Sequence, residues 1–401
     1  MYGINYLREK LRSKQNRVSV RYKHYEMKHA ALDFGISTPP KLQAIMPVLG
    51  WCGKAVDSLA DRLVFREFAN DNFGVNEIFY MNNPDVLFPS AMLGALISSC
   101  DFIYISTDAD GYPRLQVIDG SRATGVIDPI TCMLREGYAV LDTDERGLPT
   151  IEAHFTDEAT TIYDGGNAVQ VIPNPTPYPL LVPIINRPDA VRPFGHSHIT
   201  RACMELVDSA VRTLKRSEIA AEFYSVPQKY VLGTSQDADR LEKWTAAMST
   251  MLEITKDDEG DKPVVGQFQQ QSMTPFNEQL KMFAGLFAGE TGLTMDDLGF
   301  ALSNPSSSDA IKASHENLRL KAKAAQRCFG SGFLNAGFLA VCLRDKRAYT
   351  RSQFYLTKPK WEPVFEPDSA SLSGLGDAAI KLQQAFPEYF TEEKLRDLTG
   401  I

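Results

Sequence analysis

Residues 289–343 read GETGLTMDDLGFALSNPSSSDAIKASHENLRLKAKAAQRCFGSGFLNAGFLAVCL. In this stretch Ile311, His315, Leu318, Ala322, Ala325, Phe329, Phe333, Ala336 and Ala340 recur at steps of three and four, which places them on one face of a helix. A long helix is therefore predicted over 310–343. Ser306 stands three residues before Asp309, with Pro305 ahead of it, an arrangement like a capping box. Lys312, Arg319, Lys321, Lys323 and Arg327 fall mostly off the stripe. Gly330, Gly332 and Gly337 interrupt it and predict a bend near residue 330. Ahead of the helix lies a polar loop, 293–309, fed by a shorter amphipathic helix carrying Leu280, Phe283, Leu286 and Phe287. A helix, a loop rich in Ser, Asn and Asp, and a long bent helix form no enzyme signature. They suit a mechanical part that presents a loop to something.

Upstream, PNPTPYPLLVPIINRPDAVRP at 173–193 is proline-rich. Each proline removes a backbone donor and fixes φ, so the stretch reads as a stiff extended connector. It leads into a helix over about 198–223 with Ile199, Cys203, Leu206, Val207, Ala210, Val211 and Leu214 on its apolar face. Acids and bases share the rest of that helix; they suit solvent, or acid-to-base pairing between neighbouring copies in a ring. His196 and His198 form an HxH at its start, read as helix entry rather than a metal pair. Residues 224–275 are mixed: PQKYVLG is a short strand, ADRLEKWTAAMSTMLEI a helix, KDDEGDKP an acidic exposed loop and VVGQFQQQ a strand.

Further out, FIYIST, RLQVID, TGVID, GYAVLD, IEAHF, TTIYD and AVQVI alternate apolar and polar residues and are broken by DADGYP, DERGLP and DGGN. This is an antiparallel region of hairpins. DADG at 108–111 and DTDERG at 142–147 lack the further ligands of a calcium loop and read as turns. Helices are predicted over 47–63, with Pro47 in the first turn, and over 88–99. Gly53-Lys54 lacks the spacing of a phosphate loop. Residues 1–30 are basic and interleaved with Tyr22, His24 and Tyr25; the segment is either a solvated helix or a contact for DNA or an acidic partner. Beyond Leu343 come the basic RDKRAYTRSQ, the extended FYLTKPKWEPVFEPD and a helix, SLSGLGDAAIKLQQAF.

The 401 residues are enough for two to three domains, with 44% hydrophobic residues to build cores. A net charge of −8 argues against a generally basic surface that coats nucleic acid. It leaves room for a passage, because a wall dense in Lys and Arg would grip phosphates. The cysteines at 52, 100, 132, 203, 328 and 342 form no CxxC pair; with no leader-like opening stretch they are expected to be reduced, buried thiols of a cytosolic protein. No apolar run is long enough to cross a bilayer. No nucleophile-elbow, zinc-protease or Walker motif occurs, so no catalytic residue, cofactor or metal is assigned.

Three stretches carry a resemblance. ETGLTMDDLGF followed by NPSSSDAIKASHENLRLKAKAA, LVPIINRPDAVRPFGHSHI followed by ELVDSAVRTL, and the DAAIKL helix near the end are similar to segments of phage portal proteins of the Gp6-like, SPP1-type family. The resemblance covers roughly residues 20–390. It implies an α+β portal fold: wing 1–180, connector and first stem helix 181–223, clip 224–275, second stem helix 276–292, tunnel loop 293–309, long kinked helix 310–343 and C-terminal wing or crown segment 344–401. It further implies a dodecameric ring at one capsid vertex, in the virion and in the host cytoplasm during assembly. Double-stranded DNA passes through such a ring without sequence preference. The partners are a terminase large subunit, major capsid and scaffold proteins and a head-tail adaptor, with no membrane. On this resemblance Met295, Asp296, Asp297, Phe300, Ser303, Asn304, Ser306 and Ser307 line the channel. Lys312, Lys321 and Lys323 are candidate DNA contacts, and Asp257, Asp258, Glu259 and Asp261 a candidate motor-docking loop. Two other readings stay open: a DNA-processing or nucleotide-modifying enzyme with the β region as pocket floor, and another structural head protein such as a minor capsid or adaptor protein.

Overall fold

The computed structural model describes residues 2–31, 44–224, 229–232, 264–267, 272–300, 313–365 and 369–385. In chain order these form α1 (Ile4–Tyr25), α2 (Trp51–Ala60), β1 (Phe65–Ala69), α3 (Val75–Tyr80), α4 (Pro84–Ser98) and β2 (Cys100–Thr107). Next come β3 (Pro113–Ile118), β4 (Ala123–Ile127), β5 (Leu134–Thr143), β6 (Pro149–Phe155), β7 (Ala159–Asp164), β8 (Asn167–Pro173) and β9 (Leu181–Ile185). Then follow α5 (Arg201–Tyr224), β10 (Lys229–Leu232), β11 (Val264–Gln267), α6 (Thr274–Thr291), α7 (Glu316–Arg344), β12 (Lys358–Trp361) and α8 (Ser369–Ala385). The class is α+β.

The chain divides into two compact units. The first comprises residues 1–29, 50–204 and 287–401, and the second 30–49 and 205–286. In the first unit β4 to β8 form a five-stranded antiparallel meander, and β3-β2-β9 a separate three-stranded sheet. All seven segments that alternate in sequence are strands. Their breaks are turns in which Gly111, Gly147, Gly165 and Gly166 take the positive φ that a side chain resists.

The core of this unit is the C-terminal half of α7. From Phe329 onward the helix is buried on nearly every side, so it behaves as a central helix rather than a surface one. Of the stripe read from the sequence, Leu318, Ala322, Ala325, Phe329, Phe333, Ala336 and Ala340 are buried, His315 is half-buried, and Ile311 lies outside the described residues. The helix runs unbroken through its three glycines. Each admits a neighbour: a Cβ on Gly330 would lie 2.6 Å from Pro359, one on Gly332 2.9 Å from Ile184, and one on Gly337 2.4 Å from Val75. These glycines therefore let β12, β9 and α3 pack directly on the helix backbone. Phe333 meets Phe65, Phe88 and Trp361 in an aromatic cluster that ties β1, α4 and β12 to α7.

Several sequence expectations are corrected here. The proline-rich connector contains a true strand: β9 pairs antiparallel with β2, and Pro183 lies opposite Phe102. Proline is tolerated because β9 is the outer strand of its sheet. The extended stretch after α7 likewise contributes β12, which pairs with β1 across the chain, Phe65 opposite Trp361. The helix expected over 47–63 is confined to Trp51–Ala60, with Gly50 at its N-cap, so Pro47 is outside it. The helix expected over 88–99 begins earlier, at Pro84, where a proline at the first helical position costs no hydrogen bond. The basic N-terminal segment is helical over Ile4–Tyr25 and buries Leu7, Leu11 and Val18. Leu7 and Leu11 pack on Tyr138 and Val140 of the five-stranded sheet.

In the second unit α5 and α6 approach each other through Thr213, whose hydroxyl donates to Gln279 Oε1 at 3.2 Å. β10 and β11 pair antiparallel. The helix expected over 238–254 lies outside the described residues. So does the proposed capping-box pair, Ser306 and Asp309.

Candidate functional site

The site is the frame from which the 301–312 segment springs. On its N-terminal side α6 ends at Thr291, and Gly292 takes φ +83 while its N–H bonds back to Ala288 O at 2.8 Å. This is the left-handed helix stop that glycine supplies without strain. Thr294 and Asp297 then lock a short 3-10 turn, Asp296–Leu298. The Asp297 carboxylate accepts from the Thr294 N–H at 2.8 Å and hydroxyl at 2.9 Å. Gly299, at φ +87, ends the turn, and Phe300 sets its ring edge-on to Trp51, centroids 6.5 Å apart.

On the C-terminal side, His315 reaches back across the loop's base. Its Nε2 lies 3.2 Å from Asp297 Oδ2, joining the start of α7 to the 3-10 turn. Burial would raise the Asp297 carboxyl. The Thr294 bonds and the facing imidazole outweigh it and hold the carboxyl below the usual range. One turn into α7, Lys321 Nζ donates to Glu290 O at 2.6 Å, a carbonyl in the last turn of α6. Burial, then the charge of Arg187, lowers the Lys321 pKa. The Glu290 carboxylate in turn accepts from the Thr200 hydroxyl at 2.9 Å. The two ends of the loop are thus pinned to each other by one carboxylate–imidazole contact and one ammonium–carbonyl bond.

Of the channel residues expected from sequence, Met295, Asp296, Asp297 and Phe300 are in this frame. Asp296 is exposed, whereas Asp297 is half-buried and engaged. Ser303, Asn304, Ser306, Ser307 and Lys312 lie outside the described residues, as do Asp257, Asp258, Glu259 and Asp261. Lys321 is half-buried and bonded to Glu290, while Lys323 is exposed. His196 and His198 do not act as a pair: His196 Nε2 lies 2.6 Å from Asp189 Oδ2, while His198 is buried. Burial, then the Lys321 and Arg187 charges, pushes the His198 imidazole down to about 4. Among the described residues no helix is long and apolar enough to cross a membrane.

Sequence reasoning missed Trp51, Glu290 and His315 as parts of this frame. His315 was legible as a stripe residue, and a polar side chain at a core position signals a partner. Glu290 and Trp51 carry no such local sign.

Asp297→Ala is expected to release the turn. Amides of 294–300 should exchange at least tenfold faster, a loss of about 1–2 kcal/mol for the hydrogen bonds removed. Unchanged exchange there would show that the turn stands without the carboxylate.

No protein-family model matches the chain. It is 24% identical over 381 residues to a protein named Portal protein in Mycobacterium phage D29, covering 90% of this chain and 77% of that one. It is 24% identical over 386 residues to a protein of the same name in Mycobacterium phage L5, again covering 90% and 77%. Among solved structures it is similar to a chain of the virion of a native gene transfer agent particle, with TM-score 0.47 and 12% identity over 96% of this chain and 99% of that one. A chain of the neck of the native particle gives TM-score 0.46 and 14% identity with the same coverage. Across nine-tenths of its length, then, this chain is a homologue of phage proteins named portal protein.

Proposed function

We propose that this chain is a phage portal subunit: copies join head to tail into a closed ring through which double-stranded DNA is packaged and later leaves. The observation that carries the reading is the alignment, over 90% of the chain, with two proteins named portal protein. A head-to-tail interface that closes makes a ring. Each copy then contributes one segment, 293–309, to the bore, held by the Asp297–His315 and Lys321–Glu290 contacts. The exposed Asp296 suits that place, since an acid repels phosphates and lets a duplex slide.

In this reading residues 1–180 form the wing, 224–275 the clip and 344–401 the crown side, and the acidic 257–261 segment docks the terminase motor and then the head-tail adaptor. The protein resides at a capsid vertex of the virion, after assembly with coat and scaffold proteins in the host cytoplasm. It hydrolyses nothing itself. Lys323, exposed on α7, is the described lysine best placed to touch DNA, because Lys321 is already bonded.

Native mass and negative-stain images of purified protein test the proposal: a closed ring with an axial hole is expected. A stable monomer or dimer favours the enzyme reading instead. In rings, Lys323→Glu should lower packaged DNA without altering subunit number; undiminished packaging removes Lys323 from the channel.

A further inference from the structure

On α1, Lys10, Lys14, Arg17 and Arg21 recur at steps of four, three and four, so they form one row along the helix. The row spans about 16 Å. It faces the loop that carries Arg192 and Phe194, and together they line a cleft of about 320 Å³. No acidic side chain lines it. Among the described residues, none of these five cations forms an ion pair with a carboxylate; Lys10, Lys14, Arg21 and Arg192 meet carbonyls, rings and an imidazole instead. Lys10 Nζ donates to Gly125 O at 2.7 Å, and an Arg21 N–H to Ser98 O at 3.0 Å. Lys14 sits over the Phe102 ring at 5.3 Å and the Phe194 ring at 5.8 Å. Two residues before Lys10 on the same helix Arg8 meets Glu152, so the fold supplies a carboxylate to that side chain and none to these.

This crowding carries an electrostatic cost. Burial, then the neighbouring Lys14, lowers the Lys10 pKa. Burial, then Arg17 and Arg192, lowers that of Arg21. An anion in the cleft would relieve both.

We propose that this cleft binds the phosphodiester backbone of a nucleic acid, at a site separate from the channel segment. Two features select phosphodiesters over an acidic peptide. Arg17, Arg21 and Arg192 offer planar forks that match phosphate oxygens. A docking peptide also needs apolar anchors. Here the Phe194 ring is already capped by Lys10 and Lys14, and Val18 is buried in the helix packing. The row of cations matches the rise of about five phosphates on one strand of B-DNA. The inference does not rest on ring formation, and a monomer would carry the same cleft.

The test uses the full chain and a fluorescent 20-base-pair duplex, titrated from about 50 to 200 mM salt. The double variant Arg17→Gln/Arg192→Gln removes two exposed cations of the cleft. It should weaken binding at least tenfold at low salt and flatten the log–log salt slope by about 1.8, the value for two lost phosphate contacts. The control Lys23→Gln/Lys54→Gln removes two exposed lysines outside the cleft and should change the slope little. Equal losses in both variants, or no loss in the first, overturn the assignment. So does cleft-dependent binding of poly-glutamate without binding of the duplex, which would make the ligand an acidic protein segment.

Discussion

Gly94→Ala is expected to cost about 3 kcal/mol or more, although alanine ordinarily gains about 1 kcal/mol over glycine inside a helix. The reason is one buried carboxyl. A Cβ on Gly94 would lie 1.8 Å from Asp101 Oδ2 and 2.5 Å from Cγ. Asp101 has nowhere to go: it is 2% exposed, its Oδ1 accepts from the Gly120 N–H at 2.9 Å, and the Ser98 hydroxyl donates to the same oxygen at 3.2 Å. Burial, then the charge of Asp119, raises its pKa well above the usual value, and its side chain projects from β2 against α4 at Gly94. Denaturant unfolding of the single and double variants tests this. Asp101→Ala alone strands the Gly120 N–H and should cost about 1–3 kcal/mol. With the carboxyl gone the Gly94 methyl has room, so the double variant should be more stable than the sum of the singles by at least 1 kcal/mol. Strict additivity would mean the clash is not with Asp101.

Arg8→Ala is the second large effect expected, and its size should depend on pH. The Arg8 Nε donates to Glu152 Oε1 at 3.0 Å, and the Tyr138 hydroxyl donates to the same carboxylate. The Glu152 side chain is 9% exposed and that of Arg8 24%. Removing one partner of a buried pair costs about 3–5 kcal/mol; with Arg8 a quarter in water, about 2–3 kcal/mol is expected near neutral pH. Burial raises the Glu152 carboxyl, but the bonds from Arg8 and Tyr138 outweigh it and hold it below the usual value. Such a depressed carboxyl contributes stability above its unfolded pKa, near 4.3, and loses it as pH falls through the lower folded value. In Arg8→Ala the Tyr138 bond and the charge of Arg12 are left to oppose burial, so the carboxyl shifts up and less stability is lost on protonation. The gap between wild type and variant should therefore narrow as pH drops from 7 towards 3. A constant gap would assign the loss to packing of the Arg8 stem instead. Glu136 adds to the acid sensitivity of the parent. Despite burial, the Tyr2 and Gly3 N–H groups and His154 lower its pKa.

The parts of the fold legible in sequence were those set by local periodicity. The stripe from Leu318 to Ala340 and the alternation from Phe102 to Ile172 need only 3.6- and 2-residue repeats, and the structure buries or pairs them accordingly. Boundaries at 51 and 84 moved because a glycine and a proline set them, one as N-cap and one at the first helical position. β9 was hidden because Pro183 and the prolines on either side of the strand read as a connector; only its place beside β2, at a sheet edge, shows that Pro183 need not donate there.

The sequence by itself determined an α+β chain with a hairpin-rich sheet region, a basic N-terminal helix, and a polar loop set between two helices. These follow from the order of polar and apolar residues within a turn or two. Only the tertiary structure decided that β1 pairs with β12, that Asp297 and Lys321 tie the loop's two ends together, and that Arg192 completes the row on α1. Each of those joins residues far apart along the chain. Such contacts are fixed by which surfaces bury each other, a property of the folded whole that no local pattern encodes.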